Sequence, residues 1–154
     1  MRGTLVANVA TPVAIAALAN GALAAFGLLR PESERWPAFA PPGHTIGAIW
    51  VVLFVAMGVA RWSLLRSREA TANSSVRVLD VLIVMCLAYP FYTHVIGGHA
   101  IELVGNVATF ALAVWLALRV RRDRAATMLV ATVALWIAFA TVLVAELVRL
   151  NGWS

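Results

Sequence analysis

The chain has 154 residues, of which 62% are hydrophobic and 12% are charged. A soluble domain carries charge on about a quarter of its residues, so this composition excludes a globule that faces water over its whole surface. The net charge of +5 would indicate nucleic acid or another anionic partner in a soluble protein. Here the expected partner is the lipid bilayer, and no nucleic acid is expected.

Five continuous apolar stretches follow one another along the chain, each about 20 residues long and able to cross the hydrocarbon core as a helix. Lipid offers the backbone no hydrogen-bond partners, which leaves helices or closed barrels, and no stretch alternates as a barrel strand does. The sequence therefore predicts one membrane domain, 1–154, an all-α five-transmembrane-helix bundle with helices at about 5–29, 44–65, 76–97, 100–118 and 125–148.

The first stretch also resembles a signal peptide, with Met1-Arg2 ahead of it and Ala24-Ala25 near its end. The stretch is longer than the apolar core of a usual signal peptide, which favours a transmembrane helix that stays in the mature protein. The single cysteine, Cys86, excludes an intrachain disulfide.

The arginines predict the orientation. All twelve basic residues are Arg, and the positive-inside rule places the richer side in the cytoplasm. The N-terminus is therefore expected in the cytoplasm and the C-terminus outside, in a bacterial inner membrane rather than an outer membrane built for barrels. Nine arginines fall on the inner side: Arg2, Arg61, Arg66, Arg68, Arg77, Arg119, Arg121, Arg122 and Arg124.

Tryptophan is the most informative residue type. Trp36, Trp62, Trp115 and Trp153 fall near the expected membrane surfaces, as an aromatic belt does. Trp50 and Trp136 fall deeper, where a buried indole N–H needs a partner. Core packing and a cavity both remain open explanations for these two.

Residues 36–43, WPAFAPPG, form a stiff first loop with three prolines. The loop is interpreted either as a lid or as a tight connector.

Polar residues inside the membrane usually face a cavity or a partner. Asn106 is predicted to line a cavity, whereas Glu102 is expected to be hydrated near the outer surface. Asp80 is expected to pair with Arg77, and Glu146 with Arg149. His44, His94 and His99 match no standard zinc spacing, so no metal ligand is assigned.

Small residues recur at steps of three and four along three stretches, a pattern that lets helices approach closely. Packing within the bundle is the favoured explanation for each seam, and a homodimer remains open. The seams are Ala7, Ala10, Ala14, Ala17, Gly21 and Ala24; Gly105, Thr109, Ala113 and Ala117; and Ala131, Ala134, Ala138, Thr141 and Ala145.

Two motifs carry a resemblance. Residues 41–54 are PPGHTIGAIWVVLF, and residues 135–143 are LWIAFATVL, followed by Arg149-Leu150-Asn151. They are similar to the second-helix and fifth-helix signatures of the TspO/MBR family, the tryptophan-rich sensory proteins related to the mitochondrial translocator protein (peripheral benzodiazepine receptor). The resemblance covers nearly the whole chain.

The resemblance implies a five-helix bundle, often dimeric, whose pocket opens toward the first loop. The expected function is a membrane receptor or transport-type protein that binds a flat hydrophobic ligand, a porphyrin or tetrapyrrole first and a sterol-like molecule second. No cofactor is required beyond such a porphyrin or haem-like ligand. The expected ligand-binding residues are Trp50, Trp136, Pro41, Ile46, Phe54, Asn106, Phe139, Ala140 and Leu143, and the expected lid residues are Trp36, Phe39 and Pro42.

Helical spacing agrees with part of this assignment. Ile46, Trp50 and Phe54 share one face of the second helix. Thr132, Trp136, Phe139 and Leu143 form a similar stripe on the fifth.

Several family positions differ here, which leaves the ligand and any catalysis open. Thr132 and Val133 replace the usual Pro-Tyr, Val144 replaces Asn, and Cys86 and Tyr89 belong to a third helix that normally offers Asn and Trp. One alternative is a light-dependent tetrapyrrole-degrading enzyme that uses Trp50 and Trp136. The other is a regulator that acts through helix contacts and has a vestigial pocket. A non-enzymatic role is favoured.

Overall fold

The structure of the chain is a computed structural model that describes residues 4–26, 35–93 and 98–153. These residues form five helices and no strand: α1 Leu5–Ala25, α2 Gly43–Arg66, α3 Ala72–Phe91, α4 His99–Arg119 and α5 Arg124–Asn151. Each helix is long and apolar enough to cross a membrane. The predicted all-α fold with five transmembrane helices is confirmed, and the chain is an integral, multi-pass membrane protein.

The helix ends differ from those predicted, because hydropathy detects the apolar part of a helix and misses its polar turns. α3 begins at Ala72, ahead of the predicted residue 76, and α5 continues past 148 to Asn151. Gly152, with a positive φ of 90°, ends α5. α1 ends at Ala25. The predicted extension over 27–29 and the predicted helix end at 94–97 lie outside the described residues.

The helices close into a ring in the order α1, α2, α5, α4, α3, and α2 also packs on α3. We call the end of the ring formed by residues 35–42, the start of α2 and the end of α5 the mouth end. The opposite end, with the α2–α3 and α4–α5 connections, is the arginine end. The largest fully buried side chains come from four helices: Leu53, Met57, Leu79, Leu82, Leu116 and Ile137.

The outside of the ring is apolar as well. Large aliphatic side chains point away from the bundle on every helix, among them Leu18, Val52, Val84, Val104 and Leu135. A soluble monomer rarely exposes apolar surface on this scale, so lipid is the solvent for this surface. At the arginine end, the guanidinium of Arg66 lies 4.9 Å from the ring centroid of Trp62, and that of Arg119 lies 5.3 Å from Trp115, an arrangement that suits a membrane interface.

α1 and α2 cross closely at Gly58. A Cβ atom built on Gly58 would lie 2.6 Å from the carbonyl oxygen of Asn8 and 2.7 Å from Cα of Val9. Only glycine allows the two backbones to come this close, as at other small-residue crossings in membranes.

A polar cluster joins three helices beside this crossing. Arg61 on α2 donates from Nε and Nη2 to the two carboxylate oxygens of Asp80 on α3, at 2.6 and 3.2 Å. Its Nη1 donates to Oδ1 of Asn8 on α1, at 2.5 Å. The predicted Arg77–Asp80 pair is wrong. Arg77 is exposed, and Asp80 instead faces a guanidinium that engages both of its oxygens, the stronger geometry.

The three small-residue seams have different environments. All six α1 seam residues are exposed, whereas Thr109 and Ala113 of the α4 seam are buried. In the α5 seam Ala134 is buried, and Ala131 and Ala145 are exposed. Packing within the bundle explains the α4 seam but not the α1 seam, and the homodimer stays a prediction.

Candidate functional site

A cavity of about 470 Å³ lies inside the ring toward the mouth end, within the usual size range of small-molecule sites. All five helices and the first loop contribute to its wall. Nine of the twelve predicted site residues line it: Trp36, Ile46, Trp50, Phe54, Asn106, Trp136, Phe139, Ala140 and Leu143. That they bind a ligand stays a prediction.

The structure does not bring the other three predicted residues to the cavity wall. Pro41 and Pro42 lead into α2, and the carbonyl of Pro42 accepts the N–H groups of Thr45 and Ile46 at 2.9 and 3.1 Å. Phe39 packs edge-on against Phe139 with ring centroids 6.2 Å apart. Phe39 therefore supports a wall residue from outside the cavity.

Two aromatic pairs form the wall that α2 and α5 share. The rings of Trp50 and Phe54 have centroids 5.7 Å apart at an interplanar angle of 32°. Those of Trp136 and Phe139 are 5.3 Å apart at 34°. Both indoles line the cavity, so the cavity explanation applies to Trp50 and Trp136. Aromatic faces of this kind stack on planar π systems.

The first loop is fixed to the end of α5. The backbone N–H of Arg35 donates to Oδ1 of Asn151 at 3.0 Å, and Nδ2 of Asn151 donates to the carbonyl of Arg35 at 2.9 Å. Trp36 follows directly, and its side chain lines the cavity while 43% of it is exposed. The loop therefore supplies a residue of the cavity wall, and the tight-connector interpretation stays a prediction. Its opening as a lid stays a prediction.

Near the same end of α5, Arg149 donates from Nε and Nη2 to the carboxylate of Glu146, at 2.8 and 2.5 Å. The predicted pair is confirmed. Both residues lie in the last two turns of α5, at the mouth end, and Arg149 is exposed.

Glu102 is buried, with only 3% of it exposed, and it lines the cavity. The expectation of a hydrated carboxyl is wrong, because the end of α3 covers this part of α4. The hydroxyl of Tyr89 donates to Oε1 of Glu102 at 2.5 Å, and Nδ1 of His99 lies 3.4 Å from Oε2. The ring of Tyr92 lies over Gly105, whose missing side chain leaves room for it.

Two polar donors in the cavity wall have no hydrogen-bond partner. They are Nδ2 of Asn106 on α4 and Nε1 of Trp136 on α5, and both atoms are buried. Asn106 as a whole is 4% exposed. Buried donors in folded proteins are nearly always paired, so these two atoms are exceptions among the buried polar groups of the described residues.

Sequence reasoning did not assign the α1 and α3 walls of the cavity, which include Ala16, Asn20, Cys86, Tyr89 and Pro90. Asn20 carried a usable signal, since a polar residue in an apolar helix tends to face a cavity or a partner. Its Nδ2 donates to the carbonyl of Ala16 at 2.8 Å. No sequence signal separates a cavity-facing alanine or cysteine from a buried one.

A second, almost wholly apolar groove lies outside the ring between α2 and α5. Thr45, Val52, Leu135 and Val142 line it, together with parts of Trp136 and Phe139. Thr132 also lines this groove and not the cavity, and its hydroxyl donates to the carbonyl of Met128 at 2.9 Å. The predicted α5 stripe is therefore divided between two surfaces.

Among the described residues, no group of three or more His, Cys, Asp and Glu side chains is arranged to hold a metal ion. His99 lies beside Glu102, and His44 is exposed at the start of α2. His94 lies outside the described residues.

A family model described as the TspO/MBR family matches residues 9–150, nearly the whole chain. The matched range includes all twelve predicted site residues. It leaves out the first four residues of α1 and the last residue of α5. A comparison with curated proteins found no match.

Proposed function

This chain belongs to the TspO/MBR family, and we propose that its cavity binds a flat, largely apolar ligand, a porphyrin or another tetrapyrrole first and a sterol-like molecule second. Family membership supports a receptor- or transport-type role in the membrane. The observation that carries the proposal for the ligand is the pair of tilted aromatic pairs, Trp50–Phe54 and Trp136–Phe139, that face one cavity.

The physical basis is the match between these rings and an extended π system. Indole and phenyl faces stack on flat aromatic surfaces, and apolar pockets with a few polar groups are the usual sites for such molecules. A bundle that acts only through helix contacts has no need of a void, since an empty cavity loses dispersion contacts. The cavity beside both indoles therefore favours ligand binding over a vestigial pocket.

The test is a titration of the detergent-solubilised protein with protoporphyrin IX, followed by tryptophan fluorescence. We expect saturable quenching. The double variant Trp50→Phe with Trp136→Phe should weaken binding about tenfold, because each indole that stacks on the porphyrin is replaced by a smaller phenyl ring. The matched control, Trp62→Phe with Trp115→Phe, removes two tryptophans that lie against arginines at the other end. Absence of quenching, or equal losses in both double variants, rejects the proposal.

Binding is proposed rather than turnover. The same complex, illuminated, should keep its porphyrin absorption band at the level of free porphyrin in empty micelles. If the band is lost faster in the presence of the protein, and the Trp50 and Trp136 substitutions abolish this acceleration, the protein is a light-dependent enzyme and not only a binding protein.

We also propose that the mouth end faces away from the cytoplasm, in a bacterial inner membrane. Eight of the nine inner-side arginines lie at or next to the two connections of the arginine end. Reporter fusions at each terminus test this orientation. An N-terminal fusion active only outside, or both termini in one compartment, would contradict it.

A further inference from the structure

The arginine end of the bundle carries more positive charge than its own carboxylates neutralise. Among the described residues at this end, Asp80 already engages Arg61, and Asp123 caps the start of α5. Glu69 is the remaining described carboxyl there. An excess of arginine at a membrane surface attracts anionic lipids. Seven described arginines at this end are exposed: Arg66, Arg68, Arg77, Arg119, Arg121, Arg122 and Arg124.

Two of these arginines lie where α3 packs against α4. Arg119, the last residue of α4, donates from Nη2 to Oγ of Ser74 on α3 at 2.8 Å. Its guanidinium also lies 5.3 Å from the ring centroid of Trp115. The Ser74 hydroxyl donates to the carbonyl of Thr71 at 2.9 Å, so its oxygen is left to accept from the guanidinium. Arg77 follows Ser74 by three residues, on a neighbouring part of the same helix surface.

These two guanidinium groups are held at the surface without a carboxylate. Within residues 4–26, 35–93 and 98–153, no acidic side chain forms an ion pair with Arg77 or Arg119. A guanidinium presents five N–H donors in a planar fork, and the oxygens of a phosphate group fit that fork in pairs. The indole and the serine hydroxyl fix the position of Arg119 before any anion arrives.

The surface next to the two arginines, deeper in the membrane, is apolar. Val81 lies one turn beyond Arg77 on α3 and is 53% exposed, and Ala111 lies one turn before Trp115 on α4 and is exposed. Cationic groups at the interface therefore continue directly into an apolar surface. A phospholipid has the same arrangement, with a charged headgroup above its acyl chains.

We propose that the α3–α4 surface at the arginine end, formed by Ser74, Arg77, Trp115 and Arg119, binds the phosphate headgroup of an anionic phospholipid whose acyl chains lie along Val81 and Ala111. The excess of arginine selects an anionic headgroup over a zwitterionic one, and the apolar continuation selects a lipid over a soluble phosphate. The site is at the opposite end of the bundle from the cavity mouth and does not depend on which ligand the cavity takes.

The test uses the full chain in a non-ionic detergent with equimolar dioleoylphosphatidylglycerol and dioleoylphosphatidylcholine. Native mass spectrometry measures how much of each lipid the protein retains. The acyl chains are identical, so a difference in retention reports the headgroup. Phosphatidylglycerol should be retained about fivefold or more over phosphatidylcholine, since each arginine near an anionic headgroup contributes about that factor.

A pair of double variants with equal loss of charge separates a defined site from diffuse attraction. Arg77→Gln with Arg119→Gln should lower the retained phosphatidylglycerol about tenfold and leave phosphatidylcholine unchanged. The control, Arg121→Gln with Arg124→Gln, removes two exposed arginines outside the site and should change retention less than about twofold. Should the first double variant fail to fold, the two single variants decide, each with an expected loss of about threefold.

Three results would overturn the proposal. The first is equal retention of the two lipids by the unmodified protein. The second is an equal loss in both double variants, which would mean that the arginines act together as a diffuse charge. The third is displacement of phosphatidylglycerol by an equal concentration of glycerol 1-phosphate, which would assign the surface to a soluble anion. None of them bears on porphyrin binding, so the proposed function is tested separately.

Discussion

Asn151 and Arg35 exchange two hydrogen bonds although 116 residues separate them in the chain. The side-chain amide of Asn151 accepts from the backbone N–H of Arg35 and donates to its carbonyl, as the backbone of a neighbouring β-strand would. The pair fixes the position of Trp36, the next residue and a part of the cavity wall. The last turn of α5 is therefore joined directly to the segment that supplies this wall residue.

The first prediction concerns this contact. Asn151→Ala should raise the dissociation rate of bound protoporphyrin IX about threefold to tenfold, because two hydrogen bonds that hold the loop are lost. Stability should change little, since the contact is exposed. Stopped-flow fluorescence measures the rate, and Asn73→Ala, an exposed asparagine at the start of α3, is the control. Equal rates in both variants would show that the loop does not control release.

The second prediction concerns the Asn8–Arg61–Asp80 cluster. Asp80→Ala leaves the guanidinium of Arg61 without its two carboxylate contacts, so the free energy of unfolding should fall by about 1–3 kcal/mol. Arg77→Ala removes an exposed charge three residues away on the same helix and should cost at most about 0.5 kcal/mol. Denaturant unfolding in mixed micelles measures both. A double-mutant cycle with Arg61→Ala should then give a coupling energy clearly above zero, and additive losses would contradict the cluster.

The third prediction uses two glycines. Gly58→Ala places a methyl group against the backbone of Asn8 and Val9, which should destabilise the bundle by about 1–3 kcal/mol through overpacking. Gly21→Ala meets nothing within 4 Å and should stabilise α1 slightly, since alanine is the better helix former. Thermal unfolding in detergent compares the two. A neutral Gly58→Ala would mean that α1 and α2 separate more easily than the packing indicates.

The fourth prediction tests the cavity by filling it. Ala140→Leu adds three carbon atoms to the wall and should weaken protoporphyrin IX binding by about tenfold or more, since the added volume takes space from the ligand. Ala145→Leu makes the same change at an exposed position of α5 and should leave binding within about twofold. Equal affinities in the two variants would place the ligand elsewhere.

The spans and the cavity-facing side of α2 could be predicted from the sequence, because an apolar run and a helical repeat are local properties. Ile46, Trp50 and Phe54 share a face through their spacing alone, and the cavity lies on that face. Pairs within a turn, such as Glu146 and Arg149, are predictable for the same reason.

The failures concern contacts between helices. Distance along α4 placed Glu102 near the surface, but its burial depends on how Tyr89 and Tyr92 of the third-helix region pack over α4. Asp80 has Arg77 as a neighbour in sequence and Arg61 as its partner in space. Neither relationship follows from spacing, because relative rotation and depth of the helices decide both.

Trp136 and Phe139 line both the inner cavity and the outer groove between α2 and α5. On that flank the two spaces share side chains, and no intervening helix stands between them. Only two side chains therefore separate the interior of the bundle from its outer face there, so a substitution at Trp136 or Phe139 reshapes both surfaces at once.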